Sequence, residues 1–223
     1  MNTRCLSPAA AAAAPDQVLG EVDVSLHLAS RPGFPADYEA ESMIMAELVR
    51  VLATRPRDMA QALADAAMRL TGAASAGVSL VQDGAEPVFR WIATAGEYGR
   101  YLNGTMPRHF SPCGAVLARN DAILMHEPAK AFPYMEELHK EAREVLLVPF
   151  FLAGVAVGTV WVVHHDHQQF DREDLRVLRV VTNFASAAMQ ATGLIGASTA
   201  ATAAPQGLAA PGPQGVPVGS VST

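Results

Sequence analysis

Ile44, Leu48, Val51 and Leu52 recur at the spacing that lines one face of an α-helix, which predicts a helix from about Asp37 to Ala53. Pro56 suits the first turn of a second helix and Asp58 complements its dipole. Met59, Leu63, Ala66 and Leu70 share one face of it, until Gly72 closes it. The period then drops from helical to alternating. Ala76, Val78 and Leu80 fall on one side of a strand; beyond the Asp83-Gly84 turn signal, Phe89, Trp91 and Ala93 fall on one side of the next, predicting a β-hairpin. Ser111 followed by Pro112 starts a short helix that Asn120 can end in a left-handed conformation, and Ala122 to Met125 reads as a short strand. Val145 to Leu152 and Val155 to Val163 are apolar runs joined across Ala153-Gly154, a second hairpin covered on both faces, with Pro149 at a bulge or edge position. Asp171 caps a last helix bearing one stripe through Leu175, Leu178, Val181, Ala185 and Met189, and a second through Val177, Val180, Phe184 and Ala188. Two stripes call for two packing partners.

This order, α, α, β, β, short helix, β, β, β, α, predicts an α+β fold with a predominantly antiparallel sheet and helices at both ends of the domain. Flanking it, residues 1–35 mix an alanine run with scattered Pro and Gly and are expected to be an unstructured leader. Residues 197–223 are Ala, Gly, Pro, Ser, Thr and Gln with few groups to offset the entropy of ordering, so a disordered tail is expected there. The domain is placed at 36–196.

Composition narrows the function classes. The 223 residues carry 16 Lys plus Arg against 22 Asp plus Glu, and a net charge of −6 argues against a phosphate-backbone partner, hence against nucleic acid. All formally charged side chains lie at or before Arg179. No run of about 18 apolar residues can cross a bilayer, and Ala9 to Ala14 is too weakly apolar for a signal core, so a membrane is not expected either. Two cysteines, Cys5 and Cys113, make no disulfide framework, and a reducing cytoplasm is expected.

Several stretches between about 40 and 192 resemble a GAF domain, particularly the GAF input domains of bacterial sensor histidine kinases. They are Gly104-Thr105-Met106-Pro107-Arg108-His109-Phe110-Ser111-Pro112-Cys113-Gly114, Val148-Pro149-Phe150, Gly158-Thr159-Val160-Trp161-Val162-Val163, His165-Asp166 and Phe170-Asp171-Arg172-Glu173-Asp174. The resemblance implies an α/β sandwich: five or six antiparallel strands, terminal helices packed on one face, ligand-pocket loops on the other, and dimerisation through the terminal helices. It also implies a sensory role, binding a small molecule or sensing redox state and passing the signal to a histidine kinase, another output protein or the homodimer itself. No phosphoacceptor helix or Walker-type phosphate loop follows the domain in this sequence, so a stand-alone, non-enzymatic module is expected.

The expected ligand-binding residues are Trp91, Arg108, Phe110, Ser111, Cys113, Phe132 and Tyr134. Arg108, the Ser111 hydroxyl and the free N–H groups at a helix start have the parts of a polar or anion site, or else satisfy one another. Trp91, Phe110, Phe132, Tyr134 and Trp161 can wall a pocket, the two tryptophans also reading as core. Cys113 sits near a helix N-terminus, where the dipole lowers a thiol pKa, yet a cysteine in such a position also packs as a small hydrophobe. Through it a rival reading arises, a thiol-dependent reductase of the methionine sulfoxide type; a second rival is a dimerisation adaptor with a filled pocket. Gly114 after Cys113, where bilin-binding relatives carry histidine, argues against a covalent bilin, and His109 alone is a weak basis for haem. His164, His165, Asp166 and His167 imitate a metal run, but alternation parts neighbours to opposite faces, so a solvated strand end is expected and no metal is assigned.

Overall fold

Apolar residues on both faces of the strands demand cover on both sides, and the computed structural model, which describes residues 15–194, supplies it. A six-stranded antiparallel sheet is built from β1 (Ser75–Gln82), β2 (Val88–Gly96), β3 (Thr105–Pro107), β4 (Ile123–His126), β5 (Glu144–Leu152) and β6 (Val155–His164). Their order across the sheet is β3-β2-β1-β6-β5-β4, so both hairpins meet at the β1–β6 pair and β3 and β4 are the edges. Among the described residues five α-helices accompany it: α1 (Pro15–Val22), α2 (Tyr38–Thr54), α3 (Met59–Thr71), α4 (Pro112–Arg119) and α5 (Arg172–Ala191).

One face of the sheet is closed by α2, α3 and α5. Leu48 of α2, Leu63 of α3 and Leu178 and Val181 of α5 pack there on Ala76, Val78, Val148 and Val162. Asp37 caps α2 through Ala40 N–H, Gly72 ends α3 at φ +62°, and Asp171 with Asp174 forms a reciprocal capping box at the start of α5. Of the second stripe on α5, Val177 and Ala188 are buried while Val180 and Phe184 are half-buried. The opposite face is closed by α4 and by 3-10 turns at Glu97–Tyr101, Pro128–Lys130 and Pro133–Glu137. Pro149 lies where β5 has passed the end of β4, one residue before the irregularity at Phe150/Phe151, so its missing N–H costs no ladder bond to β4.

Two expectations are corrected. Phe89, Trp91 and Ala93 do not share a face: between β1 and β2 the register shifts, with Val78 opposite Ala93 and Ser79 opposite Trp91, so Ile92 is an extra residue. That bulge leaves Ala93 against the helices and turns Phe89 and Trp91 to the other side. The leader is also not unstructured over 15–35. It forms α1 and a 3-10 turn at Ser25–Ala29, buries Val22 and Leu28, and pairs as an isolated antiparallel bridge, Asp23 with Met125, on the edge of β4. Residues 1–14 and the expected tail at 197–223 lie outside the described residues.

Candidate functional site

The bulge at Ile92 is what brings the site together, because it presents Trp91 beside Trp161 of β6, with ring centroids 4.9 Å apart. Trp161 in turn lies across Gly77, where a Cβ would stand 2.2 Å from the indole, so only glycine leaves the ring its place. The Trp161 Nε1–H donates to Ser79 Oγ at 2.8 Å, and Ser79 and Thr159 are both fully buried. Tyr98, from the 3-10 turn after β2, stacks on Trp91 at 6.1 Å; its backbone N–H is held by Ser75 Oγ and its hydroxyl donates to Lys140 O.

Over these rings sits the first turn of α4. The Ser111 hydroxyl accepts from Gly114 N–H at 3.1 Å, and a Cβ on residue 114 would stand 2.1 Å from Arg108 O, so this turn is drawn tightly onto the preceding loop. Cys113 therefore points inward, buried, and its sulfur accepts from Thr159 Oγ1 at 3.1 Å. Between Trp91, Tyr98, Met106, Cys113, Met135 and Trp161 remains a small apolar void of about 30 Å³, room for a guest on the scale of a water molecule or two. No formally charged side chain lines it. Burial pushes the Cys113 thiol up to about 11, outweighing the hydrogen bonds from Thr159 and Ser79, and burial likewise raises Tyr98 above the usual phenol range. Both groups are neutral at pH 7. One polar atom here is unsatisfied: Trp91 Nε1 is buried without a hydrogen-bond partner.

Of the seven expected ligand-binding residues, the void brings Trp91 and Cys113 together. Phe110, Phe132 and Tyr134 instead form an aromatic trio beside it, Phe110 lying 5.3 Å from Phe132 and 6.0 Å from Tyr134, with the Tyr134 hydroxyl donating to Phe110 O. Burial raises the Tyr134 phenol, and the trio acts as the packed backing of the site. Arg108 turns away to Asp83, 3.7 Å distant, and Ser111 is engaged as the cap of α4, so these two residues satisfy other groups and form no joint anion cradle. Tyr98, Met106 and Met135 were not anticipated. An aromatic placed directly after a strand, as Tyr98 is, was the available signal for the first; the methionines carry none.

The His164 to His167 run is not a solvated strand end throughout. His164 is buried and stacks on Phe170 at 4.2 Å, and His165 bonds Ser75 Oγ and Glu141 O on other sides. Burial lowers the pKa of both rings. Among the described residues no three His, Cys, Asp or Glu side chains are grouped to hold a metal ion. No described helix is long and apolar enough to cross a membrane.

Comparison with known proteins bears on this geometry. The sequence model of the family described as GAF domain matches residues 53–190. No curated protein matches the chain. Among solved structures, the GAF domain of a phosphoenolpyruvate-protein phosphotransferase from Acinetobacter is 12% identical, with a TM-score of 0.59 over 70% of this chain and 96% of that one. The free methionine-R-sulfoxide reductase from Neisseria meningitidis, in complex with its substrate, is 17% identical, with a TM-score of 0.57 over 74% and 98%. The phycoerythrobilin-bound GAF domain of a cyanobacterial phytochrome is 10% identical, with a TM-score of 0.56 over 70% and 98%. At these identities the likeness is one of fold.

Proposed function

Since the chain belongs to the GAF domain family, we propose that it is a sensory or regulatory module whose ligand is a small neutral molecule held against Trp91, Cys113 and Trp161. The observation that carries this reading is the buried, unpartnered Trp91 Nε1 on a residue lining a void without formal charge. An unmet buried donor is costly, and a bound acceptor would relieve it. A charged ligand would meet no countercharge there. Signal output would pass to a histidine kinase or another output protein, or through a homodimer formed by α2 and α5; Met43 and Val49 are exposed on α2, in support of that surface.

A second reading is supported by the size of the void. At about 30 Å³ it is nearly filled by the protein's own side chains, as a dimerisation adaptor without a ligand would have it. The thiol-reductase reading draws no such support, because a thiol raised to about 11 is not the thiolate that attacks. One native mass spectrum of the purified protein weighs these proposals together. A retained small molecule supports the sensor, whereas a ligand-free species that no compound library stabilises in a thermal-shift screen favours the adaptor. The same spectrum reads the assembly: twice the chain mass is expected, and a monomer at high concentration ends the homodimer proposal.

A further inference from the structure

The segment from Leu19 to Phe34 precedes the part of the chain that matches the family, and it touches both faces of the sheet. Leu19 and Val22 pack into the cluster that contains Trp91 and Cys113, while Leu28 packs into the cluster under α2, α3 and α5. Between those anchors the backbone crosses the β4 edge. Val24 N–H donates to Leu124 O at 2.9 Å, and Leu124 N–H donates back to Ser25 Oγ at 3.0 Å. Farther on, Arg31 places its fork on the Glu144 carboxylate, at 2.9 and 2.8 Å, and also donates to Phe170 O at 2.6 Å. Glu144 is itself buried and accepts Phe170 N–H at 2.7 Å. Lastly, Phe34 N–H donates to Asp171 Oδ2, while Oδ1 of the same carboxylate accepts Glu173 N–H and Asp174 N–H to cap α5. One carboxylate thus serves the strap and the helix start together.

We propose that residues 19–34 form a strap that mechanically links the β4 edge, on the side of the candidate site, to the first turn of α5, so that unseating either end loosens the other. Apart from this segment and β5, the hydrogen bond recorded between the β4 end and α5 is the exposed Arg179–Asp121 pair at 2.6 Å, one turn beyond the first turn of the helix, and a link that both ends bias must act reciprocally. Its chemistry suits reversible opening: a few discrete hydrogen bonds and one buried ion pair, with Leu26 and Phe34 left facing solvent. Release would also bare the backbone of β4, an edge strand that the strap now pairs and covers.

Amide hydrogen exchange on the full chain tests this from both ends. Ser25→Ala removes the acceptor for Leu124 N–H without touching α5, and as a half-buried hydroxyl it leaves the fold intact. It should speed exchange of the Glu173 and Asp174 amides by roughly tenfold. The paired replacement of Arg31 by Met and Glu144 by Gln removes the ion pair and leaves no lone buried charge; it should speed exchange at Leu124 and Met125 to a similar degree, with β1 and β2 unchanged. Acceleration confined to each variant's own end, or spread evenly over every strand, overturns the link. Should the double replacement fail to fold, Ser25→Ala read at α5 decides alone.

Discussion

At Cys113 two effects of opposite sign meet. A place in the first turn of α4 favours the thiolate through the dipole, yet enclosure by Trp91, Met106 and Trp161 disfavours it, and enclosure wins by pushing the thiol up to about 11. Reactivity should follow the buried side of that balance. In a Cys5→Ser background, Cys113 of the folded protein should react with a disulfide reagent near pH 7.5 at least about a hundredfold more slowly than in urea. A rate within a few fold of the unfolded chain would return the reductase reading to contention. The helix start, with Ser111 as cap, Pro112 next and Asn120 at φ +57°, was legible because each signal is local to its own few residues. That Cys113 packs as a small hydrophobe was among the readings its type allowed; which atoms of β2, β3 and β6 exclude water from it was not legible. Arg108 illustrates the same limit: its type suits an anion site, but the group that claims it, Asp83, is set by how the loop folds.

Elements were legible wherever a period ran unbroken. The three long helices and the β5–β6 hairpin follow from i, i+4 stripes and apolar runs, and the cap of α5 at Asp171 follows from residue type; its reciprocal partner Asp174 came only with the structure. The bulge at Ile92 escaped because an alternating run looks the same whether or not one of its own residues is left out of the ladder. The capping box has a pH consequence at this scale. Burial, with Asp171, Glu173 and Glu144 nearby, raises the Asp174 carboxyl to about 7. A carboxyl raised in the folded state contributes its stability in full below the unfolded carboxylate range, near pH 4, and loses it as pH climbs through about 7. Asp174→Asn keeps an acceptor for Asp171 N–H and cannot ionise, so it should gain on the parent by about 1–2 kcal/mol at about pH 8, a figure held down by the water that still reaches the group. Below about pH 4 the two should be nearly equal. The measurement is the difference in urea midpoints, in which the opposite pH trends of His164 and His165 cancel; a gap that does not widen from pH 5 to 8 contradicts the assignment.

Over the whole molecule, the sheet separates two apolar clusters, and the domain boundary expected at residue 36 cuts away the segment that reaches both. That boundary was drawn from scattered Pro and Gly and a missing period. A segment seated by single anchors such as Val22, Leu28 and Arg31 has no period to show. Its removal is open to a thermodynamic test at a single buried charge, because the entropy regained by some twenty freed residues opposes the loss of all they bury and bond, Val22 and Leu28 included. That charge is Glu144, left in the interior without its guanidinium, which costs on the order of 3–5 kcal/mol. On that charge alone, a chain beginning at residue 36 should melt lower than the full chain by roughly 6–20 °C. The decisive comparison is Glu144→Gln in both backgrounds. In the full chain it breaks the Arg31 pair and should lower the melting temperature; in the shortened chain it removes a lone buried charge and should raise it. The same sign in both would mean that Arg31 and Glu144 do not depend on each other, and that the segment before residue 36 is dispensable to the fold.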